Sequence, residues 1–227
     1  MNVLAVIAHP DDELLGCGGT LRKLANEGHH IFTCVLCANV DARSNRPELA
    51  RLREVAAASA RIVGVEDSLL YDFGNIRFNV VPHLEMVKAV ESAIEKYTPE
   101  IIFSHHPGDL NVDHRVSFEA TMAAAVLPQR LTRNLPVTLV KRIYLFEIPS
   151  STGWAPPPFQ AFHPNSYFDV TGTIEDKMRA MRTFEGALKP RLHAHSEESL
   201  TAWARMRGTA VGIEYAEAFC LVRDLNV

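Results

Sequence analysis

The chain opens with a continuous apolar run that leads directly into a dense group of ionisable side chains. The run, residues 3–8, does not alternate with polar residues, which is typical of a strand buried on both faces of a parallel sheet. The residues from Glu13 to Gly28 have the apolar spacing of a helix. Because open α/β sheets bind ligands where such strands end, the loop between the two is the first candidate functional site.

This loop carries His9, Asp11, Asp12 and Glu13 within five positions. A neutral imidazole and a carboxylate can both bind Zn²⁺, and a second carboxylate beside them can accept a proton from water. The aspartates would also serve as ordinary helix N-caps, with His9 packed locally. The loop alone leaves both interpretations open.

A second dense group, HHPGDLNVDH at residues 105–114, has the same position relative to predicted elements. It follows a predicted buried strand at residues 100–104 and precedes a predicted helix. The first and fourth strands of a doubly wound sheet are usually neighbours across its switch point, so the two loops would face each other over one crevice. His9, Asp12 and His114 can then supply three zinc ligands and leave a fourth position for water.

The rest of the chain alternates predicted strands and helices. Further strands are predicted at residues 30–37, 68–72, 142–148, 167–170 and 215–223, and helices from Pro47 to Gly64, at residues 82–97, after Asp113, at residues 174–184, and from an N-cap at Ser196 to a stop at Gly208. This order predicts an α/β fold, a three-layer, Rossmann-like, mostly parallel sheet with helices on both faces.

Length and composition indicate an ordinary globular protein. The chain has 227 residues, of which 47% are apolar and 22% charged, and no repeat or linker divides it, so we expect a single domain over residues 1–227. The net charge of −4, without runs of basic residues, argues against nucleic acid or an anionic membrane as a partner. Four scattered cysteines and the lack of a long apolar span indicate a cytoplasmic protein that binds small molecules.

The two loops resemble those of the LmbE-like (PIG-L type) N-acetylglucosaminyl deacetylase family. Its marks are an apolar strand followed by AHPDDE, here residues 8–13, and a later loop ending in DH, here HPGDLNVDH at residues 106–114. A third similar stretch runs from Arg207 and Gly208 to YAEAF at residues 215–219. The resemblance implies a zinc-dependent hydrolase that removes an N-acetyl or N-acyl group from an amino sugar, sugar conjugate or sugar nucleotide. It also implies a homo-oligomer.

By this resemblance, His9, Asp12 and His114 hold the zinc ion, and Asp11 is the general base toward the attacking water. This division of roles between Asp11 and Asp12 suits a tight loop, in which neighbouring carboxylates cannot both point at one ion. Asp113 matches a family carboxylate beside the last ligand that orients nearby polar groups, and we group it with the catalytic residues.

Asn111 stands where some family members carry the histidine that stabilises the oxyanion. An amide donates a hydrogen bond but carries no positive charge. Either Asn111 serves this role more weakly, or His106, His193 or His195 supplies the donor.

Substrate contacts are predicted at Arg53, Asp72 and His106. Arg53 and Asp72 lie near positions where the family reads sugar hydroxyls. Alternatively, Arg53 pairs with Glu54 on a helix surface and Asp72 forms a turn. The segment at residues 149–164, rich in proline and aromatic residues, is predicted to be a rim or lid on the substrate side.

Three hypotheses follow from these observations. The first is the zinc-dependent deacetylase. The second is a dinucleotide-binding module, suggested by GCGG at residues 16–19, but three carboxylates precede these glycines and would repel a pyrophosphate. The third is a related zinc amidase or thiol-ester hydrolase whose substrate is small and not a sugar. Two histidines and a carboxylate also suit other divalent metals, such as iron.

Overall fold

A computed structural model describes residues 1–38, 49–126, 139–154, 156–157, 159–184 and 186–226. Its strands are β1 (Asn2–Ile7), β2 (His30–Val35), β3 (Val65–Leu70), β4 (Ile101–His105), β5 (Arg142–Phe146), β6 (Ser166–Asp169) and β7 (Ala216–Asp224). Its α-helices are α1 (Asp12–Asn26), α2 (Leu49–Ile62), α3 (His83–Tyr97), α4 (Val112–Val126), α5 (Ile174–Thr183) and α6 (Glu197–Thr209).

The strands form one sheet in the order β3-β2-β1-β4-β5-β7-β6. Strands β1 to β5 pair in parallel, whereas β7 runs antiparallel to both β5 and β6. This arrangement confirms the predicted three-layer, mostly parallel α/β fold.

Both faces of the sheet are covered. Along β1, the side chains of Val3, Ala5 and Ile7 belong to the apolar core that also contains residues of α1, α2 and α5. The alternate side chains, Leu4 and Val6, belong to the core formed with α3 and α4. The alternation of side chains along a strand therefore explains why the opening run is apolar at every position.

Strand β1 pairs with β2 on one side and with β4 on the other, both in parallel. The predicted neighbourhood of the first and fourth strands is thus confirmed. The loops that follow β1 and β4 leave the same edge of the sheet at the point where the strand order reverses.

Helix α6 differs from its prediction at one end. Its start is confirmed, because the Ser196 hydroxyl accepts a hydrogen bond from the Ser199 N–H, but the helix continues past Gly208 to Thr209. A Cβ atom on Gly208 would lie 2.7 Å from the carbonyl oxygen of Ile213, so the glycine permits a close chain crossing and does not stop the helix. The predicted helix start at Pro47 lies outside the described residues.

None of the helices in the described part of the chain is both long and apolar enough to span a membrane.

Candidate metal centre and active site

The three predicted metal ligands converge in one buried cluster. His9, Asp12 and His114 each offer a ligand atom within 4.8 Å of the other two. The Oδ2 atom of Asp12 lies 3.3 Å from Nδ1 of His9 and 3.5 Å from Nε2 of His114. The end of β1 positions His9, and the first turns of α1 and α4 position the other two side chains.

A tight turn separates the two aspartates. The Asp12 N–H donates to the His9 carbonyl oxygen at 3.3 Å, and Asp11 between them has a left-handed backbone with φ of 97°. Asp11 occupies the N-cap position of α1, but its side chain makes no capping hydrogen bond. The interpretation of Asp11 as an ordinary side-chain cap is therefore wrong.

The carboxylates beside His9 favour the protonated form of its ring. Burial disfavours protonation of His9, but hydrogen bonds to Asp113 and Asp12 outweigh it and raise the pKa of His9 to about 10. Burial also disfavours the Asp12 carboxylate, yet His114 and His105 hold its pKa well below the usual value. Among the described residues, no lysine or arginine pairs with Asp12. One carboxylate and two imidazoles without a basic partner fit a divalent cation.

Asp113 lies behind His9. Its Oδ2 atom is 2.9 Å from Nε2 of His9 and accepts the Ile76 N–H at 2.6 Å, while Oδ1 accepts the Phe78 N–H at 3.1 Å. The side chain is fully buried. Asp113 thus holds the His9 ring with Nδ1 toward Asp12, and its place is that of a positioning residue, not one in contact with a substrate.

Asp109 lies behind His114, and the sequence interpretation missed it. Its Oδ2 atom is 3.2 Å from Nδ1 of His114 and accepts hydrogen bonds from the hydroxyls of Ser151, at 2.8 Å, and Thr152, at 2.6 Å. The available signal was an aspartate inside the second loop motif. Its hydroxyl partners lie more than 40 positions away, and no sequence pattern links them to Asp109.

The two adjacent histidines at the end of β4, His105 and His106, have structural contacts. The His105 ring stacks on that of His114 with centroids 4.1 Å apart, and its Nε2 accepts the Ala8 N–H at 3.0 Å. His106 is 1% exposed, and its Nδ1 accepts the Gly108 N–H at 3.0 Å. The structure therefore does not bring His106 to the open pocket, where a substrate contact was predicted.

An open pocket adjoins the metal cluster. Asn111 is one of its lining residues, and its Oδ1 accepts the Asp113 N–H at 2.9 Å, which leaves Nδ2 as the donor of the amide. The segment after β5 contributes Ser150 and Ser151, as expected for a rim on the substrate side. The lining comprises His9, Asp11, Asp12, Leu15, Asn111, His114, Ile148, Ser150, Ser151, Gly186, Ala187, Lys189, His193 and His195.

Arg53 and Asp72 lie beside each other, away from this lining. Their side chains pair at 3.5 Å between Nη2 and Oδ2. Arg53 lines a neighbouring pocket that also includes Glu13. Glu54 pairs with Arg51 at 2.9 Å, so the alternative pairing of Arg53 with Glu54 is not the one observed.

The glycines at residues 16–19 lie inside α1 and pack against neighbouring elements. A Cβ on Gly16 would collide with the Phe146 ring, and one on Gly19 would lie 3.0 Å from Val170. These glycines permit close packing within a helix, so the interpretation of this stretch as a phosphate-binding loop is wrong.

Comparisons with known proteins agree with these features. The family profile of GlcNAc-PI de-N-acetylases (PIG-L) matches residues 4–125, which include both loops. The uncharacterized deacetylase YaiS of Escherichia coli is 30% identical over 142 residues, 60% of this chain and 75% of YaiS. Diacetylchitobiose deacetylase of Thermococcus kodakarensis is 28% identical over 233 residues, 97% of this chain and 82% of that protein.

A solved structure shares the fold over the whole chain. GalB, the 4-carboxy-2-hydroxymuconate hydratase of Pseudomonas putida, superposes with a TM-score of 0.80 at 21% identity, covering 100% of this chain and 98% of GalB. The family profile covers more than half of the chain. The chain therefore belongs to the PIG-L family of de-N-acetylases.

Proposed function

We propose that this protein is a zinc-dependent hydrolase that removes an N-acetyl or other N-acyl group from an amino sugar, sugar conjugate or sugar nucleotide. The observation that carries the proposal is the buried cluster of His9, Asp12 and His114 beside a pocket lined by Asp11 and Asn111. Family membership supports the reaction class. The sugar substrate is supported by the relative that deacetylates diacetylchitobiose.

The arrangement around the two histidines suits metal binding. His9 would bind through Nδ1, since Nε2 faces Asp113, and His114 through Nε2, since Nδ1 faces Asp109. A carboxylate on the far nitrogen of a ligating imidazole fixes the ring and increases its basicity. When bound, a divalent ion supplies Lewis acidity, which polarises the amide carbonyl and acidifies water.

Asp11 is the proton-transfer group in this proposal. It lines the pocket next to the ligand Asp12, and its carboxylate takes a proton from the attacking water. The water oxygen bonds to the acyl carbon, the C–N bond breaks, and the proton passes from Asp11 to the leaving amine. The products are a carboxylic acid and a free amine, which at neutral pH exist as carboxylate and ammonium. Asn111 donates from Nδ2 to the oxyanion that forms at the carbonyl.

The remaining predictions stay part of the proposal. Arg53, which lines the neighbouring pocket, and its partner Asp72 would contact the sugar. The expectations of a cytoplasmic homo-oligomer rest on the family resemblance, the residue composition and the scattered cysteines.

The test is metal analysis combined with amine release from N-acetyl sugars, sugar nucleotides and glycosides. Asp11→Asn is expected to retain zinc but lose turnover by about 10²–10⁴-fold, because only proton transfer is removed. His114→Ala is expected to lose both zinc and activity. The exposed His83 provides a matched control, and His83→Ala should change neither. Full activity in Asp11→Asn, or undiminished zinc in His114→Ala, would contradict the assignment.

The same panel distinguishes the alternative substrate class. A zinc amidase for small non-sugar amides would release amine from simple N-acetyl amines and leave the sugars intact. Because GalB has the same fold and is a hydratase, a panel that yields no amine from any amide would overturn the proposed reaction itself.

A further inference from the structure

We propose that the buried ion pair of Lys177 and Glu217 is a positioning device that holds Asp11 and Asp12 in place by clamping a break in α1. The inference rests on the proposed function, because the roles of the two aspartates do. Neither member of the pair lines the pocket beside the metal cluster, and both belong to the carboxyl-terminal half of the chain.

Helix α1 is interrupted after its first turn. Cys17 has φ of −146° and ψ of 15°, outside the helical region, so residues 12–16 and 18–26 form two helical pieces. The first piece carries Asp12 to the metal cluster. A break of this kind removes backbone hydrogen bonds, and the groups left over in the protein interior need other partners.

Glu217 supplies partners for the second piece. From β7, its Oε1 accepts the Gly19 N–H at 3.0 Å and its Oε2 accepts the Thr20 N–H at 2.7 Å. A carboxylate at the start of a helical piece also interacts favourably with the helix dipole. The second piece is further tied to the start of α5, because the Thr173 hydroxyl donates to the Gly19 carbonyl at 2.8 Å.

Lys177 supplies a partner for the first piece. From α5, its Nζ donates to the Leu15 carbonyl at 2.9 Å and to Oε1 of Glu217 at 2.6 Å. The Leu15 N–H in turn donates to the Asp11 carbonyl at 3.0 Å. A single residue, Leu15, therefore connects the buried ammonium group to the backbone of Asp11.

Asp11 needs such support. A left-handed conformation is strained for a residue other than glycine, so it persists where surrounding contacts enforce it. Lys177 is 4% exposed and Glu217 5% exposed, and a buried ion pair often adds no net stability over apolar residues of similar size. Because the pair bonds to backbone on both sides of the break, its contribution is to the geometry of the turn that carries Asp11 and Asp12.

The experiment compares Glu217→Gln, Lys177→Met and the double variant with the unmodified protein. Metal-free protein is titrated with Co²⁺ in competition with a chelating dye, and the visible spectrum of the Co²⁺ form is recorded. The kcat and KM for an N-acetyl sugar and the thermal unfolding temperature are measured in parallel. Arg182→Met is the control, because it breaks the exposed pair of Arg182 with Glu197 that also involves α5.

We expect each single variant to bind Co²⁺ about 10–100-fold more weakly, with an altered spectrum, and to lose kcat by a similar factor with little change in KM. The control should match the unmodified protein in every readout. The double variant leaves no unpaired buried charge, so it tests the clamp even if a single variant does not fold.

Folded variants with unchanged Co²⁺ affinity, spectrum and kcat would overturn the clamp while leaving the proposed function intact. Failure of the unmodified protein to bind Co²⁺ would instead overturn the proposed function and, with it, the role of the clamp.

Discussion

At the scale of single residues, the chemistry of the site depends on which nitrogen of each histidine faces a carboxylate behind it. His9 contacts Asp113 through Nε2, whereas His114 contacts Asp109 through Nδ1, so the two rings present opposite nitrogens to Asp12. The residue types that bind a metal were evident from the sequence. The family resemblance indicated Asp113 as an orienting carboxylate, but its contact with Nε2 of His9 and the position of Asp109 behind His114 became evident only from side-chain contacts.

Asn111 can be tested for its two separate tasks. Asn111→Asp keeps an oxygen that accepts the Asp113 N–H at the start of α4, but it lacks the Nδ2 donor. We expect kcat to fall by about 10²–10³-fold, as for loss of an oxyanion donor, while the unfolding temperature stays unchanged. Asn111→Ala removes both functions and should also lower the free energy of unfolding by about 1 kcal/mol.

Steady-state kinetics and thermal unfolding measure both effects. If Asn111→Asp retained the kcat of the unmodified protein, the oxyanion donor would have to come from another lining residue of the pocket, such as His193 or His195.

At the scale of structural elements, the segment after β5 is built into the site. The hydroxyls of Ser151 and Thr152 bind Asp109, and the ring of Phe162 packs edge-on against His106 with centroids 5.2 Å apart. The backbone of Gln160 passes directly over the loop that follows β4. The segment predicted as a rim is therefore attached to the residues that position His114.

Gly108 permits this attachment, because a Cβ at this position would collide with the backbone carbonyl of Gln160. Gly108→Ala must displace one of the two chains, so we expect the free energy of unfolding in urea to fall by about 1–3 kcal/mol and KM to rise. Gly153, in the same segment, has open space around its missing Cβ. Gly153→Ala is the matched control and should stay within about 0.5 kcal/mol of the unmodified protein. Equal stability of the two variants would contradict the close packing.

At the scale of the whole molecule, buried histidines couple stability to pH. Burial lowers the pKa of His106 to about 4, against 6.5 for the unperturbed side chain. Between these values the unfolded chain takes up a proton that the folded protein does not. The contribution of neutral His106 is therefore complete above pH 6.5, and stability falls as the pH drops toward 4.

His106→Asn tests this coupling. Asparagine keeps an acceptor near the Gly108 N–H but does not titrate, so the decrease in unfolding free energy between pH 6.5 and 4 should be smaller by up to about 3 kcal/mol. Urea unfolding at a series of pH values measures it. An identical pH dependence in both proteins would show that folding does not shift the pKa of His106.

Most of the fold followed from local patterns. The apolar run of β1, the helical spacing of α3 and the Ser196 cap of α6 are each set by neighbouring positions, and all were confirmed. The prediction that Gly208 ends α6 was wrong, because the sequence does not distinguish a glycine that ends a helix from one that allows a close backbone contact. The sequence also predicted that His9, Asp12 and His114 lie together, since the topology of parallel sheets brings the ends of β1 and β4 together.

The sequence by itself thus determined the sheet, the two loops and the residue types available for metal chemistry. Only the tertiary structure decided which contacts hold those residues in position: Asp113 against Nε2 of His9, Asp109 behind His114, and Lys177 and Glu217 at the break in α1. The physical reason is distance along the chain. Glu217 and the amides of α1 are 197 and 198 positions apart, and no local pattern encodes a hydrogen bond that exists only once the sheet is assembled.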